Sequence, residues 1–149
     1  MALLASTGLR THVLGTGSLK TALAAGFLHI YSCAIADIPA SADAAITASH
    51  TKLLTYYSDG AATGLNLGVA ADGAIGKAAG ETWSGTILAT GNATFFRFVG
   101  SADTGAASTT EPRLQGRVGT AGAELNIDTL ALTAGQTKQL NFVNINLPW

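Results

Sequence analysis

The sequence predicts an all-β domain: a jelly-roll-like β-sandwich of about eight antiparallel strands with one short N-terminal helix. Three observations carry that expectation. Apolar residues alternate with polar or small ones in short runs, turn residues punctuate those runs at spacings of about 8 to 12 residues, and only one segment has helical punctuation. The 149 residues make one ordinary domain, and 48% hydrophobic residues supply a core without disulfides or metal.

Residues 1–17, with Gly8, Gly15 and Gly17 among Thr and Ser, read as an irregular N-terminal arm, and residues 18–149 as the sandwich domain. Ser18 is placed to cap a helix of about two turns through Ala25, with Gly26 as its left-handed C-terminal cap. From Phe27 the period drops to two. Phe27, His29 and Tyr31 alternate with Leu28, Ile30 and Ser32, both faces are largely apolar, and the strand is expected to be central. Pro39 sets a loop from Ile38 to Asp43. Lys52 to Tyr57 is the next strand, Ser58-Asp59-Gly60 a turn, Leu65 to Val69 a third strand and Ala71-Asp72-Gly73 another turn.

A short piece at Ala74 to Lys77 and a strand with Trp83, Gly85 and Ile87 on one face follow, and then a turn at Gly91-Asn92. Ala93 to Val99, with Phe95, Phe96 and Phe98, is the most aromatic strand and is expected in the core; Gly100 to Thr110 is a long loop. Arg113, Gln115 and Arg117 alternate with Leu114, Gly116 and Val118, the pattern of a strand with one polar, outward face. Leu125 and Ile127 start a further strand, which Leu130 and Leu132 continue after a change of phase. In the last strand the apolar phase slips between Leu140/Phe142 and Val143/Ile145/Leu147. A β-bulge near Phe142-Val143 would return both sets to one face.

Composition narrows function. Charged residues are 11% of the chain and the formal net charge is −1, against roughly 25% charged in soluble domains. There is no Lys/Arg cluster to collect phosphates, so no nucleic-acid partner is expected. No membrane partner is expected either: the longest apolar run, Ala22 to Tyr31, is interrupted by Gly26 and His29 and falls far short of the ~20 residues of a span. Met1 to Ala5 lacks the basic-then-apolar order of a signal peptide, and the lone Cys33 has no internal disulfide partner. So few charges leave a neutral skin of Thr, Ser, Asn, Gly and Ala that other subunits can bury. The expectation is an assembly protein, not an enzyme.

No catalytic, cofactor or metal site is expected. Gly15-Thr16-Gly17-Ser18-Leu19-Lys20 lacks the Gly-Lys-Ser/Thr ending and the preceding strand of a phosphate loop. His12, His29 and His50 do not pair at ligand spacing with one another, with Cys33 or with a carboxylate; His29 reads as a core or interface histidine. Cys33 has no neighbouring base and reads as a small buried residue. Asp37, Asp43, Asp59, Asp72 and Asp103 read as turn stabilisers, and Asn92-Ala93-Thr94 as a turn entering a strand. Arg97, Arg113 and Arg117 would form an outward basic stripe facing partner carboxylates if their strands are neighbours, or else a solvated face. Trp149, after Pro148, reads as an aromatic anchor for a neighbouring subunit.

Several stretches resemble a family of small structural proteins of tailed bacteriophages. They are Gly26-Phe27-Leu28-His29-Ile30-Tyr31, Pro39-Ala40-Ser41-Ala42-Asp43-Ala44-Ala45, Leu53-Leu54, Gly91-Asn92-Ala93-Thr94-Phe95-Phe96-Arg97, the segment from Gly119 to Ile127, and Thr133-Ala134-Gly135-Gln136. The resemblance covers most of residues 18–148. It departs at Ser32-Cys33, where relatives place a small turn ending in Gly, and at Trp149, which extends past the usual Pro ending. The resemblance implies a virion component of the capsid cement or decoration kind, a homotrimer on the outer capsid surface, bound to the major capsid protein and assembled in the host bacterial cytoplasm. The surfaces it would use are the N-terminal arm, the loops around Pro39 and Asp43 and around 101–112, the Arg97/Arg113/Arg117 face, and Trp149. A tail-, collar- or fibre-associated sandwich with an adsorption role, binding sugar through Trp83, Tyr56 or Tyr57, is the alternative.

Overall fold

The computed structural model describes residues 2–146. In chain order the elements are β1 (Leu4–Ala5), α1 (Thr7–Gly15), α2 (Leu19–Ala22), β2 (Phe27–Ser32), a 3-10 turn (Ile35–Asp37), β3 (Thr51–Tyr56), β4 (Ala74–Gly76), β5 (Trp83–Thr86), β6 (Gly91–Asn92), β7 (Phe95–Val99), β8 (Arg113–Gly119), β9 (Leu125–Asn126), β10 (Ala131–Leu132), β11 (Thr137–Leu140) and β12 (Asn144–Asn146). The all-β expectation holds. The principal sheet has the order β1-β8-β7-β2-β3, antiparallel throughout, with β9 added to β8 as a parallel pair. Three two-stranded ribbons, β5/β11, β4/β12 and β6/β10, complete the described strands; two four-stranded jelly-roll sheets are not seen among them.

The sheet has two different faces. Leu28 and Ile30 of β2, Phe96 and Phe98 of β7, and Leu114 and Val118 of β8 point into the main core, where they meet Trp83, Leu65, Leu67 and Leu140 from the ribbons and loops. The ribbon β5/β11 is joined to the end of β3 by the reciprocal bonds Tyr57 N–H to Ser84 O (2.8 Å) and Ser84 N–H to Tyr57 O (3.0 Å). Gly85 permits that approach: a Cβ there would lie 2.0 Å from the Thr55 carbonyl oxygen. The opposite face carries Tyr31, Phe95, Arg97, Arg113 and Gln115 and is roofed by the loops that follow β2 and β7.

Several expectations change. The irregular arm expected at residues 1–17 is not seen among the described residues: β1 pairs with β8, residues 7–15 form a helix, and Leu9 is 2% exposed. The Ser6 hydroxyl explains how. It accepts from Leu9 N–H (3.1 Å) as the N-cap of α1, accepts from Arg113 N–H (2.9 Å) and donates to Glu111 O (2.7 Å), so the helix start is tied to β8. The second helix has the expected Ser18 cap, closed as a capping box with Thr21, but it is a single turn and the left-handed residue after it is Ala25 (φ 52°). Gly26 is small for another reason: a Cβ would sit 2.3 Å from the Val99 carbonyl oxygen.

Gly91-Asn92 is a strand rather than a turn, paired with β10. The phase slip near Phe142 is a change of partner rather than a bulge. The chain leaves β5 after Leu140 and joins β4 at Asn144, which buries Leu140 and Ile145 and leaves Phe142 76% exposed.

Candidate functional site

The register of the principal sheet lines up one row across four strands: Thr55 opposite His29, His29 opposite Arg97, and Arg97 opposite Gln115. Strand alternation puts these four side chains on the roofed face. Arg97 Nε and Nη2 both donate to Gln115 Oε1 (3.0 Å from Nε), its Nη1 donates to Ala44 O (2.8 Å), and Gln115 Nε2 donates to Pro39 O (2.6 Å). Arg113 forms a fork with Asp103, where Nη2 to Oδ1 is 2.9 Å, and also donates to the carbonyls of Ala42 (3.2 Å) and Ala106 (2.6 Å). The two loops bond to each other as well, through Ile46 N–H to Gly105 O and Ser108 N–H to Asp43 O.

The arginines therefore clamp both loops onto the sheet. Arg97 and Arg113 are 1% and 0% exposed, which corrects the expected outward basic stripe: β7 and β8 are indeed neighbours, but loops cover the face they share. Alternation shows that a strand has two faces; it does not show which one water reaches. Pro39 is buried at its carbonyl bond to Gln115, and Asp43 is half-buried, accepting from Thr7 N–H (2.8 Å) and Thr7 Oγ1 (2.7 Å). Four of the expected interface residues thus converge inside one subunit. Arg117, half-buried, lies outside the clamp, and its backbone N–H donates to Glu124 Oε2 (2.7 Å). Trp149 lies outside the described residues.

Burial shapes the electrostatics of the row. It lowers the His29 pKa to about 3, with the Lys52 charge acting the same way, so the imidazole is neutral near pH 7 while Nδ1 bonds the Thr55 hydroxyl (2.8 Å). Burial and the adjacent Arg113 charge bring Arg97 down to about 10, still a cation at neutral pH. Burial also pushes the Tyr31 phenol up to about 12. Asp43 is held below the usual carboxylate range: partial burial works against the charge, but the two bonds from Thr7 and the nearby Arg10 and Arg113 outweigh it.

Of the aspartates, Asp59 matches the turn-stabilising expectation most fully, accepting from the N–H groups of Ala61, Ala62 and Thr63, each at 3.0 Å. Asp103 combines a turn bond from Gly105 N–H (2.6 Å) with its ion pair to Arg113, and Asp43 serves the start of α1, which no local pattern reveals. Among the described residues no group of three or more His, Cys, Asp or Glu could hold a metal ion. No described helix is long and apolar enough to cross a membrane. Trp83 and Tyr56 are both 0% exposed, so neither can offer its ring to a sugar.

The surface feature that the sequence did not reveal is apolar. Val13, Leu19, Val69, Ile75 and Ile145 line a groove of about 520 Å³ between the helices and the 68–75 hairpin. Val69 is 86% exposed, and Leu14, beside Val13 on α1, is 88% exposed. Val69 continues the alternation of the buried Leu65 and Leu67, but the chain turns away after Leu67 pairs with Lys77, leaving Val69 in water. Exposed apolar residues clustered around a concave surface mark a place for another molecule. No family model, curated protein or solved structure matches the chain.

Proposed function

We propose that this chain is a virion structural protein, a capsid cement or decoration protein that binds the outer surface of the major capsid lattice as a homo-oligomer. The observation that carries the reading is the exposed apolar groove lined by Val13, Val69 and Ile75 on a chain with 11% charged residues. Such a surface is a liability for a solitary monomer and an asset for a subunit with neighbours. The resemblance to small phage structural proteins supplies the kind of neighbour.

The mechanism is mechanical. A cement oligomer adds bridges between lattice subunits, and joining several modest contacts in one oligomer raises avidity without any new contact type. A bridge must also resist deformation. The clamp serves that need, because Arg97 and Arg113 tie two long loops to the sheet. Cryo-electron microscopy of the purified source particle, with copy number from quantitative mass spectrometry, tests the proposal. Many copies on the capsid exterior are expected. A few copies confined to the tail, or none in the particle, would overturn it.

A further inference from the structure

We propose that the crevice between the polar row and the 103–105 turn binds a small oxyanion, a phosphate or a carboxylate, through Arg97 and Lys52. The crevice has a volume of about 150 Å³, lined by His29, Tyr31, Lys52, Arg97, Asp103 and Thr104 together with their neighbours. That is room for one small polyatomic ion with water.

The charge balance points to an anion. A guanidinium has five N–H donors; Arg97 commits three of them, to Gln115 and Ala44, and the other two have no acceptor among the described residues. Asp103 is the carboxylate at the crevice, but Arg113 takes both of its oxygens and Gly105 N–H shares one of them. Its charge is therefore spent on Arg113. Lys52 stands exposed at the same crevice, and among the described residues neither it nor Arg97 has a carboxylate at ion-pair distance. Three cations, Arg97, Arg113 and Lys52, thus stand against two carboxylates, Asp103 at the crevice and Asp43, whose charge reaches both arginines from the loop side but is also shared with Arg10. The cations stay in excess, and the histidine between them is neutral.

A cation removed from water without a counter-charge is a costly arrangement. An oxyanion entering the crevice supplies the missing charge and accepts the idle donors. Guanidinium geometry suits phosphate and carboxylate equally, since both offer two oxygens to one fork. The crevice lies on the roofed face of the sheet and is separate from the apolar groove, so it stands or fails independently of the proposed assembly role.

The test titrates the full chain with inorganic phosphate and, separately, with sodium acetate, replacing chloride at constant ionic strength. Thermal unfolding and the Arg97 Nε–H resonance are followed together. A saturable rise of a few degrees in Tm and a saturable shift of that resonance are expected, as for any ligand that binds only the folded state. Lys52→Ala, an exposed change that folding tolerates, should weaken the apparent affinity about tenfold, and Lys20→Ala, outside the crevice, should leave it unchanged. A stronger response to phosphate assigns a tetrahedral dianion; an equal or stronger response to acetate assigns a carboxylate. A Tm change that never saturates and is the same in Lys52→Ala, or an Arg97 resonance unmoved by both anions, would overturn the site.

Discussion

Asp103→Ala should lower the stability of the folded chain by about 3–5 kcal/mol, the usual cost of removing one partner from a buried ion pair. At this chain length that corresponds to a fall in Tm on the order of 10 °C. The cause lies in what remains. Arg113, 0% exposed, would keep its carbonyl partners on Ala42 and Ala106 but lose the charge that balances it, with Arg97 close by. The loops at 38–46 and 101–110 should open together, because Arg113 holds one on each side, and limited proteolysis should cut both before the strands. The double change Asp103→Leu with Arg113→Met should recover much of the loss, since an apolar pair leaves no charge behind. Thermal melts that place Asp103→Ala within about 1 kcal/mol of the parent would show that the clamp is not structural.

Trp83→Ala is expected to be as damaging, at about 3–5 kcal/mol. Trp83 is fully buried where β5 crosses the apolar face of the sheet, edge-on to Phe98 with ring centroids 5.9 Å apart. Its indole N–H donates to Glu81 Oε2 (2.7 Å), and Glu81 also accepts from the Asn66 backbone N–H (3.0 Å) and side chain (2.9 Å). Truncation therefore opens a cavity and loosens the 61–82 segment. Trp83→Phe fills most of the cavity and loses only the hydrogen bond, so a smaller loss of about 1–2 kcal/mol is expected. Denaturant unfolding separates the two. Equal losses would mean that the bond to Glu81, not packing, holds this layer.

Strands were legible wherever a local pattern determined them. Residues 27–32, 51–56, 95–99 and 113–119 form strands within two residues of the alternating runs, and β2 lies inside the sheet between β7 and β3, as its two apolar faces require. What the sequence hid depends on distant partners. Helix α1 follows a cap whose hydroxyl also bonds Glu111 and Arg113, more than a hundred residues away. The inward turn of Arg97 and Arg113 depends on two loops folding over them, and no period within β7 or β8 encodes a roof. One trace was present: Arg97 sits between Phe96 and Phe98, in a strand whose five residues are all buried. The apolar groove was invisible for the opposite reason, because Val69 looks like the third inward residue of a strand that ends before it.

The most direct test of the claim that assembly runs through the apolar groove is sedimentation equilibrium of the chain and of the variant Val69→Lys, which places a charge in the groove wall. Val69 is 86% exposed, so stability should stay within about 0.5 kcal/mol of the parent. The parent should associate with increasing concentration, towards a trimer, and the variant should sediment as a folded monomer. A parent that stays monomeric throughout, or a variant that assembles as the parent does, would contradict it.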